Sequence, residues 1–133
     1  MKKSSTTVCP CREGNGKQDY ADCCKPYHDG AEPANAELLM RARYSAYARG
    51  LMHYVWATWH DSTRPPLSDL VNDASLKWQG LEVKRHQVIK DGEEQVEFVA
   101  RVKRNGRADR LQELSRFVRE DGRWFYIDGE FPE

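Results

Sequence analysis

The stretch NAELLMRARYSAYARGLMHYVWATWH, running from Asn35 to His60, places Met40, Tyr44, Tyr47 and Leu51 at helical spacing, with Val55 and Trp59 extending the apolar stripe. This predicts a helix capped by Asn35 and broken at Gly50, so that two helices share the segment. Pro65-Pro66 ends the second of them, and LSDLVNDASL, Leu67 to Leu76, is expected to form a short third helix, since proline is tolerated in a first turn. After Trp78 the period changes. Asp91-Gly92, Asn105-Gly106 and Asp121-Gly122 are hairpin signals separated by segments long enough for extended strands. In VEFVARV, Val96, Phe98, Ala100 and Val102 share one face, and Glu97, Val99, Arg101 and Lys103 share the other. Helices followed by a four-stranded antiparallel meander predict an α+β fold with the helices packed on one side of the sheet.

Composition narrows the function classes. A chain of 133 residues suits one compact body with at most a small appendage. Lys plus Arg numbers 21 and Asp plus Glu 21, so no global field points to nucleic acid, an anionic membrane or an acidic partner. The 4 Trp, 6 Tyr and 4 Phe supply the buried area of a globular core. Met1-Lys2-Lys3 is followed by SSTTVCPC rather than an apolar run, so no export signal is expected, and no segment has the apolar length of a membrane span. The expected compartment is the cytoplasm, where thiols stay reduced.

That compartment matters because all four cysteines, Cys9, Cys11, Cys23 and Cys24, lie in VCPCREGNGKQDYADCC. Two readings compete: crossed disulfides, or four thiolates around one metal. Pairing each close couple with itself would make strained rings, and crossed bridges need an oxidising compartment. Four soft donors brought together by a small loop suit a closed tetrahedral zinc site, which is the favoured reading. Gly14 and Gly16 permit the tight return, and Arg12, Lys17 and Lys25 are placed to offset the two surplus negative charges. His28 is a spare ligand, with a loop histidine the favoured reading because four cysteines already complete the set.

CPC followed by YADCC resembles the SEC-C zinc motif, in which Cys-Pro-Cys-Gly-Ser-Gly leads to a tyrosine three positions before a terminal Cys-Cys or Cys-His; Tyr20 holds that position relative to Cys23. Arg12 and Glu13 replace the usual Gly-Ser and the spacer is longer, so the loop is expected to bulge between Arg12 and Lys17. Beyond it, CCKPYHDG, LLMRARYSAYARG, ATWH, KWQGLEV, VEFVARV and LSRFVREDGRWFYIDG resemble the YchJ-like family, in which a SEC-C segment precedes a body of the nuclear transport factor two-like (NTF2-like, cystatin-like) superfamily. The resemblance implies one structural zinc held by Cys9, Cys11, Cys23 and Cys24, and a sheet curled into a cone. The expected division is a disordered tail over residues 1–8, a zinc knuckle over 9–28 that folds on its metal independently of the meander, and the α+β body over 29–133.

Fold alone assigns no reaction. His60 and Asp128 are the first candidates for an acid–base pair inside a cone pocket, against the plainer reading that they close a helix and a strand. Arg41 and Arg43, two positions apart on a helix, face different ways, so one at most enters a pocket and the other is expected to meet Glu37 or a neighbouring acid. Tyr44, Tyr47, Tyr54, Trp56, Trp59, Trp78, Trp124 and Tyr126 form either core or a ligand cage, with core favoured. KRNGRADR, with Arg101 before it, makes a basic hairpin tip that would suit phosphate backbone, although a solvated tip that protects a sheet edge is the plainer reading. Two function classes follow. One is a zinc-containing module that contacts a protein partner, by analogy with the terminal segment of the SecA motor, or less directly nucleic acid. The other is an enzyme or small-ligand binder that uses the cone pocket.

Overall fold

The structure, a computed structural model, describes residues 8–12, 18–72 and 75–131. Among the described residues, six helical elements precede the sheet. A 3-10 turn at Pro10–Arg12 and another at Tyr20–Asp22 carry the cysteines into the one-turn helix α1, Lys25–His28. Helix α2 is Ala36–Arg49 and α3 is Met52–Ala57. Asn35 is extended and its side chain accepts from Leu38 N at 2.9 Å, as a cap should. Gly50 ends α2 at φ 75°, a left-handed conformation that a residue with a Cβ adopts only under strain.

Two expectations about the helical half are corrected. Leu67 to Leu76 does not form a helix among its described residues: Pro66 is extended, a single 3-10 turn spans Leu67–Asp69, and Leu70 is extended again. A helix here would have no face to bury, for Leu67 and Val71 both project into solvent, Val71 with 74% of its surface exposed. Asp73 and Ala74 lie outside the described residues. The second correction concerns Trp59, which is past the end of α3 and forms a parallel bridge with Tyr126. His60 N donates to Tyr126 O at 2.8 Å and Tyr126 N to Thr58 O at 2.9 Å, so a short extended tie, not a helix end, fastens this segment to the sheet.

The sheet is an antiparallel meander of β1 Leu76–Lys90, β2 Glu93–Arg104, β3 Arg107–Glu120 and β4 Arg123–Glu130, in that order. The turns fall where the Asp-Gly and Asn-Gly pairs stand. Asn105 (φ 53°) with Gly106 (φ 81°), and Asp121 (φ 53°) with Gly122 (φ 77°), have the paired positive φ of tight hairpins whose twist matches the strands. Three register shifts in β1 and one in β4, where Ile127 is the extra residue, bend the sheet, because an extra residue on one strand increases local twist. Val96 pairs with Ser115 and Ala100 with Leu111, so the apolar face of β2 continues onto β3 and meets α2.

Val8, assigned by sequence to the tail, pairs with Asp19 in an isolated bridge and so belongs with the knuckle; residues 1–7 lie outside the described residues. The knuckle is also not a separate packing unit. Cys9, Cys11 and Cys24 are buried in one cluster with Leu39, Met40, Leu81, Phe117 and Trp124, and Pro10–Arg12 packs against both α2 and β1. The small loop buries little apolar surface of its own and shares the body's core.

Candidate functional site

The four sulfurs converge. Cys9 and Cys11 Sγ are 3.8 Å apart, Cys11 and Cys23 3.5 Å, Cys23 and Cys24 4.0 Å, and Cys11 and Cys24 3.7 Å, with every pair within 4.8 Å. A disulfide needs about 2.05 Å, and all four cysteines are unbridged. Zinc held at about 2.3 Å from four sulfurs sets tetrahedral edges of about 3.8 Å, so the donor set fits that metal in both chemistry and size. All donors come from this chain, which leaves no open coordination position for a substrate.

Helix α2 supports the cluster from beneath. Ser45 Oγ lies 3.3 Å from Cys9 Sγ and donates to Cys24 Sγ at 3.2 Å. Arg41 Nη1 donates to Cys11 O at 3.2 Å, while its Nε meets Glu37 Oε2 at 3.1 Å, the acid anticipated for it. Without metal, the close thiols of Cys9, Cys11 and Cys24 are pushed in opposite directions. Hydrogen bonds from Cys11 and Cys24 hold the Cys9 thiol far below its ordinary value. Cys11 accepts a lowering bond from Cys24, yet the bond it gives Cys9, burial and neighbouring sulfur charge together push it up to about 12. Cys24 is driven up by its bonds to Cys11 and Cys9 and by burial. A dication relieves this conflict by favouring thiolate at every site.

The expected charge partners divide. Arg12 lies beside the sulfurs: burial opposes its charge, but the bond to Cys23 and the charges of Cys11, Cys23 and Cys24 raise it. Lys25 instead pairs with Asp29 at 2.6 Å, a surface contact one helical turn away, and so does not offset the cluster. Gly14, Gly16 and Lys17 lie outside the described residues. His28 is no ligand: its Nε2 donates to Ala42 O at 2.8 Å and its Nδ1 accepts from Tyr20 OH at 2.7 Å. Tyr20, the motif tyrosine, thus joins the knuckle to α2 through His28, and Arg49 lies over its ring at 3.9 Å.

On the opposite side of α2 a cavity of about 220 Å³ opens between helix and sheet. Tyr44, Tyr47, Trp59, Trp78 and Tyr126 line it, and with Phe98 and Phe117 they make its walls aromatic. Trp78 meets Tyr44 edge-on at 5.3 Å and Trp59 meets Tyr126 edge-on at 5.2 Å, so the rings brace one another and the space between them stays open. The other three aromatics of the expected cage stand elsewhere: Tyr54 and Trp124 border a second groove, and Trp56 is covered by Arg64 at 3.8 Å.

Arg43 enters this cavity. It is 6% exposed, its Nη1 donates to Val55 O at 2.7 Å and Thr58 Oγ1 at 2.8 Å, and its guanidinium stacks on Tyr126 at 4.5 Å and Trp59 at 5.3 Å. No carboxylate pairs with it among the described residues, and burial draws its pKa below the ordinary guanidinium value. Across Tyr126 sits Glu113, whose Oε2 accepts from Ser115 Oγ at 2.9 Å and from Tyr126 OH at 2.8 Å. Burial, then the Glu113 charge, raise the Tyr126 phenol and keep it a donor.

His60 and Asp128 are not brought together and neither lines the cavity. His60 Nε2 donates to Glu120 Oε2 at 2.7 Å, and Asp128 takes a two-point bond from Arg116 at 2.7 and 2.8 Å on the sheet's outer surface. The basic run Lys103–Arg110 forms the exposed β2–β3 hairpin tip. Glu113 and Ser115 were missed by sequence reasoning although a signal exists. In LQELSRFV they alternate with Leu111 and Phe117, so they are polar positions on a face whose neighbours are apolar.

Comparison with known proteins agrees with this architecture. Residues 35–129 match the family model described as YchJ, middle NTF2-like domain. A UPF0225 protein of Chromobacterium violaceum is 50% identical over 133 residues, covering 96% of each chain, and one of Bordetella parapertussis is 48% identical over 136 residues, covering 98% of each. Among solved structures, a SEC-C motif containing protein from Psychrobacter arcticus has a TM-score of 0.82 at 31% identity, over 97% of this chain and 85% of that one. The SEC-C motif containing protein RPA3114 of Rhodopseudomonas palustris has a TM-score of 0.78 at 28% identity, over 96% and 100%. With its four-cysteine segment seated on a four-stranded NTF2-like body, the chain belongs to the YchJ-like family.

Proposed function

We propose that this protein binds a small molecule in the aromatic cavity and uses one structural zinc, held by Cys9, Cys11, Cys23 and Cys24, to fix the helix that roofs that cavity. The observation that carries the reading is Arg43, a buried guanidinium anchored on one side and unpaired with any acid on the side that faces open space. An unpaired buried cation is costly, and a fold tolerates it where a ligand completes it. The zinc would supply folding energy and no chemistry, since four protein ligands close its shell.

The same helix supports both parts, which favours this reading over a knuckle that recruits a protein or nucleic acid. Three of the four cysteines are turned into the body and buried, so the knuckle's contacts run inward. The test is ligand-observed NMR on the zinc-loaded protein against a library of small ring compounds, with the metal content measured in parallel. Hits displaced by Arg43→Gln support the reading. A library in which nothing binds in the cavity overturns it.

A further inference from the structure

The polar groups of the cavity say more about what it holds. Arg43 and Glu113 are the charged residues among those that line it, one of each sign. Both are fixed by half. Arg43 spends Nη1 on Val55 and Thr58, and its Nε and Nη2 have no hydrogen-bond partner among the described residues. Glu113 spends Oε2 on Ser115 and Tyr126, and its Oε1 likewise has none. Tyr126 stands between them, its ring under the guanidinium and its hydroxyl on the carboxylate, so the two charges are held apart rather than collapsing into an ion pair. Gly129 helps, because a Cβ there would collide with the Glu113 carboxylate.

Such a site presents donors from one point and an acceptor from another, with no net charge. A ligand carboxylate would satisfy Arg43 but stand near Glu113, and a ligand ammonium would do the reverse. Either would leave one surplus charge between aromatic walls, which is unfavourable. The walls are ring faces and edges, which suit a flat π-system. For size, a dry cavity of about 150 Å³ accommodates benzene, so about 220 Å³ admits roughly one further fused ring. Phe131, 68% exposed, and Leu111 stand at the rim and would close over an apolar edge.

We infer that the cavity takes an uncharged, planar heteroaromatic molecule of about two fused rings, which offers an acceptor atom to Arg43 and an N–H or O–H donor to Glu113. This rests on the ligand-binding reading above and adds the chemical class.

The experiment is a titration of the zinc-loaded protein with three probes of one shape: quinolinone, a neutral lactam with adjacent acceptor and donor; quinoline, which has the acceptor alone; and naphthoate, an anion. Quinolinone should bind about tenfold or more tighter than either of the others, because each good hydrogen bond to a charged group is worth about that factor or more. Glu113→Gln should weaken quinolinone by about tenfold and leave quinoline nearly unchanged, and Arg43→Gln should weaken both. If Arg43→Gln fails to fold, Glu113→Gln carries the test alone, since it keeps the shape of the side chain. Naphthoate binding tighter than quinolinone overturns the inferred class while the ligand-binding reading stands. Equal affinity for quinolinone and quinoline also overturns it. Failure of all three probes to bind overturns the inferred class, while the library screen above decides the ligand-binding reading.

Discussion

Arg41 and Arg43, two positions apart on α2, serve opposite sides of one helix: Arg41 Nη1 donates to the backbone oxygen of Cys11 at 3.2 Å, while the guanidinium of Arg43 stacks on Tyr126 in the cavity at 4.5 Å. The helix therefore couples the cysteine cluster to the cavity roof through rigid backbone, and several consequences can be measured.

Loss of the metal should be felt by the whole body. Cys24→Ser, or removal of zinc by a chelator, takes away a ligand set buried in the same cluster as Leu39 and Met40. The expected result is loss of zinc together with a fall of about 10–20 °C in Tm, corresponding to several kcal/mol. Calorimetry beside elemental analysis reads this. An unchanged Tm after complete metal loss would show that the knuckle is energetically separate after all.

Ser45→Ala isolates the support given to the sulfurs, because alanine suits a helix and only the hydroxyl contacts to Cys9 and Cys24 disappear. Zinc affinity should fall about tenfold, the lower end of what such supporting bonds contribute. Competition with a chromophoric chelator measures it, and an affinity equal to wild type would mean the hydroxyl is a bystander.

Gly129→Ala probes the seat of Glu113. The glycine has no need of positive φ, so its role is space: a Cβ would meet the Glu113 carboxylate, which Ser115 and Tyr126 hold in place. Displacing it should cost about 1–3 kcal/mol, seen as a lower denaturation midpoint. A variant as stable as wild type would show that Glu113 moves aside freely.

The pH dependence of stability should carry a contribution from His28. Burial is the largest influence and lowers its folded pKa; the bond to Ala42 and the charge of Cys9 oppose this, Arg49 reinforces it, and Asp29 opposes it. The sign follows from a depressed folded value. Above the unfolded value of about 6.5 both states are neutral and the contribution is intact, and as pH falls below it the unfolded chain takes up the proton first, so stability drops. His28→Asn should show a shallower loss between neutral pH and the mildly acid range, in denaturant titrations performed at a series of pH values. Parallel curves would show that His28 contributes nothing to the acid sensitivity.

Much of this molecule is legible along the chain because its signals are local. Asn35 and Gly50 bound α2 through the chemistry of one cap and one left-handed residue. The three Asp-Gly and Asn-Gly pairs place every hairpin, and alternation in VEFVARV orients β2. The four cysteines announce a soft donor set by type and spacing alone, and the opposed faces of Arg41 and Arg43 follow from helical geometry. Where local signals are weak the reading fails: Leu67 to Leu76 has the punctuation of a helix and no surface to bury it against.

What the tertiary structure alone decided is which polar residues share a space. His60 and Asp128 stand out in sequence by their aromatic neighbours, yet each finds a charged partner at the surface. Glu113, Ser115, Tyr126 and Arg43 come from β3, β4 and α2, and their meeting depends on strand register, on the bulge in β4 and on how far α2 sits above the sheet. The knuckle's place in the core is of the same kind, since it depends on the face of α2 that Ser45 and Arg41 present to it. Cap, turn and period are set by neighbours a few residues away, whereas a cavity exists only between elements, where packing over long sequence separations determines which side chains face one another.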